Sequence, residues 1–283
     1  MTTKHLIVTL LSALTCISAQ AQTSFGDAMK FDDGWLFSLT DAPDQKDNSF
    51  NDKDWRTLDL PHDWSIEGRL SPTLASCTGY LPAGIGWYRK HFTVNDDAPR
   101  HYIYFEGVYN RSEVYLNGQL LGKRPNGYVS FMYDLTPYLK DGENVLAVRV
   151  DHSRYADSRW YTGSGIYRDV WLVSAPETHF SLWGVGWHAK SITEKQATVS
   201  VDMEIQKHMA VQSKLEAKAS LYDAGNNLVA SRTIAVNDRE AGLSKVATEL
   251  RVKNPHLWNL DEPYLYTLET DILSDGQKID GSK

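Results

Sequence analysis

Val114-Tyr115-Leu116-Asn117-Gly118-Gln119-Leu120-Leu121 reads as a strand, a two-residue turn and a second strand. Asn-Gly suits the left-handed dihedrals of a tight hairpin, so the chain here doubles back as antiparallel β-structure. Toward the amino terminus, residues 101–108 alternate, with Tyr102 and Tyr104 on one face and Ile103 and Phe105 on the other, as expected of a strand covered on both sides or nearly so. Toward the carboxyl terminus, residues 145–150 and 169–173 read as two further strands. No stretch of about 11 or more residues between 25 and 174 carries a helical stripe. Many short strands at this spacing predict a sandwich or a barrel.

The pattern changes at Ala175-Pro176-Glu177, where proline disrupts strand pairing and aromatic density falls. Beyond this boundary, residues 197–205, 214–222, 228–236, 245–252 and 264–273 alternate as strands, separated in part by the turns Ala224-Gly225-Asn226-Asn227 and Ser274-Asp275-Gly276. With an opening strand near 180–185, this suits an immunoglobulin-like sandwich, which takes about seven strands in about 100 residues. Residues 277–283 have the pattern of a returning strand cut short. The second sandwich is therefore expected to be truncated near its last strand, exposing a row of unpaired backbone groups.

Lys4 precedes an apolar stretch over residues 6–17, too short to span a bilayer, and Ala19-Gln20-Ala21 forms a small-x-small cleavage site. These features predict an export leader over residues 1–21 and a periplasmic or extracellular bacterial protein with no membrane span. Cys16 leaves a second option, a lipid-anchored cysteine, for which Thr15 is a poor preceding residue. Removing 21 from 283 residues leaves 262, which at a loose prior of about 150 residues per domain suggests two domains rather than one. The expected division is 22–176 and 177–283. Hydrophobic residues at 42% and charged residues at 23% describe a globular chain. A net charge of −7 without a basic block argues against a nucleic-acid surface, which must mass Lys and Arg to displace counterions. If Cys16 leaves with the leader, Cys77 is alone, so neither an intrachain disulfide nor a thiolate metal cluster is available. The nine His show no metal-ligand spacing backed by a third ligand. No cofactor or metal is expected.

The run Asp157-Ser158-Arg159-Trp160-Tyr161-Thr162-Gly163-Ser164-Gly165-Ile166-Tyr167-Arg168 sets a carboxylate, two guanidinium groups, hydroxyls and aromatic rings around two glycines. Polyols need such a set, because charged groups bond neighbouring hydroxyls while rings cover the apolar C–H face of a sugar. The other reading is a structural loop in which Arg168 pairs with Asp169 or another acid and Trp160 fills the core. Pro61-His62-Asp63-Trp64 places an imidazole beside a carboxylate, but neighbours on an extended chain point to opposite faces, so a turn anchored by Trp64 is expected rather than a catalytic dyad. Gly84-Ile85-Gly86 opens like a dinucleotide fingerprint but has Arg89 at the third glycine and no helix after it. Gly163-Ser164-Gly165 lacks the earlier glycine of a nucleophile elbow. Trp183, Trp187 and His188 are expected to pack the contact between the two domains, with an exposed ligand platform as the alternative.

The order of several blocks resembles glycoside hydrolase family 2. They are Pro61-His62-Asp63-Trp64; Gly86-Trp87-Tyr88-Arg89-Lys90-His91-Phe92; Phe105-Glu106-Gly107-Val108 with Val114-Tyr115-Leu116-Asn117-Gly118; Gly127-Tyr128 leading to Phe131 and Asp134-Leu135-Thr136; Asn144-Val145-Leu146-Ala147-Val148-Arg149-Val150-Asp151; and the run from Arg159 to Arg168. Trp258 with Pro263-Tyr264-Leu265-Tyr266 is similar to the hallmark of that family's second domain. The resemblance implies an all-β chain, a galactose-binding-like jelly roll followed by an immunoglobulin-like sandwich. It further implies that the catalytic (β/α)₈ barrel with its two glutamates belongs to a third domain missing from this chain, which alone would be inactive. The implied ligand is a terminal β-galactoside or related oligosaccharide. Relatives that touch the sugar from this loop use an aspartate six residues before the glycine of their Gly-Ile-x-Arg motif. Here that position is Arg159, so either Asp157 reaches the sugar from a shifted register or Arg159 replaces the carboxylate, with Trp160 as a stacking ring. Arg168 is expected to be a buried strut beneath the loop. A free-standing carbohydrate-binding protein is the alternative function.

Overall fold

The computed structural model describes residues 23–154 and 160–283, and among them every extended regular element is a strand. The first ten are β1 (Asp27–Lys30), β2 (Trp35–Ser38), β3 (Arg56–Leu58), β4 (Gly84–Phe92), β5 (Arg100–Phe105), β6 (Ser112–Leu116), β7 (Gln119–Arg124), β8 (Phe131–Asp134), β9 (Asn144–His152) and β10 (Val170–Ala175). They form two antiparallel sheets with orders β3-β2-β4-β9-β6-β7 and β1-β10-β5-β8. Between the sheets lies a core that includes Trp35, Trp64, Tyr88, Ile103, Phe105, Phe131 and Val148. The opening hairpin forms as its turn chemistry dictates. Asn117 and Gly118 both take positive φ, 52° and 81°, joining β6 to β7.

Seven further strands follow, β11 (Thr178–Ile192), β12 (Gln196–Lys207), β13 (Leu215–Tyr222), β14 (Leu228–Ala235), β15 (Gly242–Lys253), β16 (Thr267–Ser274) and β17 (Gln277–Ser282). They build a second sandwich from sheets β11-β12-β15 and β14-β13-β16-β17. The segment expected to be cut short does pair with β16, from Ser274↔Gln277 to Thr270↔Ser282. β16 begins at Thr267 rather than 264, because Pro263 cannot donate to a ladder and Tyr264 is stacked on His256 at 4.1 Å in the preceding loop.

The alternation in β5 serves two cores at once. Ile103 and Phe105 face the first sandwich's interior, whereas Tyr102 and Tyr104 join Phe25, Trp171 and Val173 in a cluster continuous with Phe180, Val201 and Met203 of the second sandwich. Apolar burial of this kind stabilises at about 25 cal/mol per Å², so the contact between the sandwiches is a hydrophobic one. Asp280 of β17 closes its rim, its carboxylate accepting the Gly26 N–H at 2.9 Å and the Phe180 N–H at 2.8 Å.

Trp183 and Trp187 do not pack this contact; they are 55% and 65% exposed, and His188 is also exposed. Phe180, at the start of β11, already fills the contact. Pairing with β12 then slips between Phe180 and Val185, and Trp183 takes a left-handed φ of 56°. The bulge turns the following residues outward. Among the described residues no helix is long and apolar enough to cross a membrane. The leader and Cys16 lie outside the described residues.

Candidate functional site

The segment 160–168 lies between β9 and β10 and is latched to the Pro61-His62-Asp63-Trp64 turn. The His62 N–H donates to Ile166 O at 2.8 Å and the Trp64 N–H to Ser164 O at 3.1 Å. On the other side Tyr109 and Gly165 exchange both backbone bonds at 2.9 Å. The glycine is dictated by crowding. Gly165 has φ +124°, and a Cβ there would lie 2.2 Å from Tyr88 Oη and 2.7 Å from His62 O.

Asp63 is the polar centre of the latch. Its Oδ1 accepts the Ser65 N–H at 2.9 Å and the Ser164 N–H at 2.8 Å, while Oδ2 accepts the Tyr161 hydroxyl. Ser65 Oγ donates to Pro82 O at 2.6 Å, so the proton between Ser65 Oγ and Ser164 Oγ, also 2.6 Å apart, comes from Ser164. His152 Nδ1, 2.6 Å from Ser164 Oγ, must then donate, which fixes its tautomer. Burial raises the Tyr161 hydroxyl above the ordinary phenol range, and the hydrogen bond to Asp63 and that residue's charge push the same way. His62 turns to the opposite side, with Nδ1 2.7 Å from Tyr88 Oη and Nε2 3.2 Å from Glu67. Burial holds its pKa below the ordinary imidazole value, against the pull of Glu67. The imidazole and carboxylate thus serve different partners, as expected, and Trp64 is buried beneath them. At the end of β9, burial acts upward on Asp151, but hydrogen bonds from Ser153 and Arg111 outweigh it and bring the carboxyl down to about 2.

Above the latch the surface is aromatic. Trp160 is 62% exposed and donates from Nε1 to Tyr128 Oη at 2.9 Å; Tyr128 meets Tyr109 edge-on at 5.4 Å. Tyr161 and Tyr80 are exposed as well. Trp160 therefore does not fill the core. Such rings can cover the C–H face of a polyol while neighbouring phenol groups bond its hydroxyls. Asp157 and Arg159 lie outside the described residues. Arg168 is not a buried strut. It is exposed, with its guanidinium 5.3 Å from the Tyr167 ring, and Asp169 pairs instead with Lys30 at 2.9 Å. The room beneath the loop is taken by Ile166, Trp64 and Tyr88. A cleft of about 970 Å³ between the sandwiches, walled in part by Met29, Pro99 and Lys278, has no aromatic residue in its lining and shares none with the loop.

By sequence reasoning Asp63 is considered only as half of a dyad with His62 and Ser164 only within the loop run and a nucleophile elbow, and Ser65 and His152 are not singled out. The available signal was Asp63 two residues before Ser65, the spacing of a side-chain-to-backbone turn. Among the described residues no group of three His, Cys, Asp or Glu could hold a metal ion.

Residues 29–176 match the family model described as glycosyl hydrolases family 2, sugar binding domain, and residues 181–283 match that described as glycosyl hydrolases family 2. A β-galactosidase of Bacteroides ovatus is 44% identical over 273 residues, covering 94% of this chain and 32% of that protein. A putative β-glucuronidase of Formosa agariphila is 39% identical over 253 residues, covering 88% of this chain and 24% of that protein. Among solved structures, a family 2 glycosyl hydrolase of Bacteroides cellulosilyticus superposes with a TM-score of 0.84 at 32% identity, over 90% of this chain and 34% of that one. A β-glycosidase of Bacteroides vulgatus gives 0.81 at 38% identity, over 90% and 33%. The chain thus spans between a quarter and about a third of the length of these relatives.

Proposed function

The chain belongs to glycosyl hydrolase family 2, and from that membership we propose that it forms the non-catalytic front part of a retaining β-glycosidase acting on terminal β-galactosides. Retention requires two carboxyl groups about 5–5.5 Å apart across the glycosidic bond. In this reading they belong to a barrel in the portion of the relatives that the chain does not match. The observation that carries the chain's own part is the latched loop: Asp63 and Ser164 hold the backbone of a segment whose Trp160 and Tyr161 rings face solvent. A ring fixed in this way positions a sugar without taking part in bond cleavage, and positioning alone contributes to rate by removing orientational freedom. Asp157 or Arg159 would supply the polar contact. The β-galactosidase at 44% identity supports galactosides over glucuronides.

The test compares the chain alone with a gene product that also carries the downstream portion. Each is given aryl β-galactoside and aryl β-glucuronide. Turnover of the galactoside by the longer protein only is the expected result; turnover by the chain alone would overturn the reading, and preference for the glucuronide would overturn the substrate. Calorimetry of the chain with galactose and lactose tests the free-standing binding protein, which requires measurable heat. Export is proposed on the leader alone, and fractionation should recover the protein outside the cytoplasm with its amino terminus at residue 22.

A further inference from the structure

Three donors that are far apart in sequence meet where the sandwiches join. Tyr102 comes from β5, His179 from β11, and His208 directly follows β12. Tyr102 Oη lies 2.9 Å from His179 Nε2 and 2.8 Å from His208 Nε2, and the two Nε2 atoms are 3.3 Å apart. His179 Nδ1 lies 2.7 Å from Phe180 O and must donate to it, which leaves the Nε2 lone pair aimed at the cluster. A ligating imidazole is commonly oriented in the same manner, by giving its other N–H to a backbone carbonyl. The ring is further fixed by stacking on Phe25 at 4.4 Å.

We propose that Tyr102, His179 and His208 bind a divalent transition ion of the copper, nickel and zinc group. Donors at these separations are spanned by an ion about 2.1 Å from each, which lies about 1.2 Å out of their plane. Two imidazoles select that group of metals, and the phenol favours copper(II) within it; magnesium and calcium would require carboxylate or carbonyl oxygens. Asp134 and Glu177 act on the cluster with negative charge, opposed by Arg100, which is itself paired with Glu177 at 2.9 Å. His208 is half-buried, giving the ion access from solvent.

Without metal the donors form a chain in which His208 Nε2–H donates to Tyr102 Oη and the Tyr102 hydroxyl donates to His179 Nε2. On binding, the Tyr102 proton leaves to solvent and the His208 proton moves to Nδ1, so one proton is released per ion. A bound cation offsets the effect of burial on the phenol by stabilising its anion. The consequence is a staple between the two sandwiches. It is independent of the saccharide reading.

The test uses the purified chain titrated with Cu²⁺ and Zn²⁺, followed by calorimetry, visible absorption and thermal unfolding. The expected result is one equivalent of each ion, a phenolate-to-copper charge-transfer band, and a Zn²⁺-dependent rise in midpoint temperature. His208→Ala should weaken binding at least tenfold and remove the thermal shift. Tyr102→Phe, which keeps the ring in its packing, should lose the visible band. Absence of binding, or equal binding by the chain and both variants, overturns the proposal.

Discussion

Replacing Asp63 isolates the latch from everything else in the first sandwich. The carboxylate accepts three hydrogen bonds, two from the Ser65 and Ser164 amides and one from the Tyr161 hydroxyl. A hydrogen bond to a charged group contributes about 1.5–3 kcal/mol when its loss leaves a buried donor unpaired. Tyr161 is exposed and can turn to water, so its share is small. The two amides at the low end of the range give about 3 kcal/mol for Asp63→Ala. Asp63→Asn keeps a carbonyl oxygen for both amides and loses mainly the charge assistance, about 1 kcal/mol. Urea unfolding of the chain and the two variants measures these differences. Amide hydrogen exchange reads the mechanism directly, since Ser164 N–H should be protected in the chain and fast in Asp63→Ala. An Asp63→Ala variant within about 0.5 kcal/mol of the parent, or one that retains Ser164 protection, would refute the reasoning.

Gly165→Ala places a Cβ against Tyr88 Oη at a φ suited to glycine, so thermal unfolding should show a loss of about 2 kcal/mol or more. Arg168→Ala removes only an exposed guanidinium, and its unfolding free energy should stay within about 0.5 kcal/mol of the parent. Asp280 supplies the pH dependence: burial raises its carboxyl to about 6, against backbone hydrogen bonds from Gly26, Phe180 and Gly281. A folded pKa above the unfolded value gives stability that is full below about pH 4 and is lost as pH rises through about 6. The parent's advantage over Asp280→Asn should therefore shrink between pH 4 and 7, by up to about 3 kcal/mol in urea unfolding. A constant difference across that range would remove Asp280 from the account.

Much of the fold was legible because it depends on neighbours in sequence. Asn117-Gly118 predicts its hairpin, and the alternation of residues 101–105 predicts a strand with two covered faces, which β5 has. The misreadings concern contacts that no local pattern encodes. Trp183 and Trp187 look like contact-filling residues, yet the contact is completed by Phe25, Tyr104 and Phe180, and a bulge sends the tryptophans outward. Arg168 looks like a strut, but Ile166 occupies the space below it. The latch was invisible for a similar reason: Asp63 and Ser164 are 101 residues apart, and nothing in either segment names the other. The loop's composition did mark it as a candidate for polyol contact, and Trp160 is placed where such contact is possible.

The central claim is that this chain positions a saccharide that is cleaved elsewhere. Its most direct test is kcat/KM for an aryl β-galactoside, measured on the longer gene product with Trp160 intact and with Trp160→Ala. Loss of a stacking ring worth about 1.4 kcal/mol in the transition state predicts a drop of about tenfold. An unchanged kcat/KM would contradict the claim.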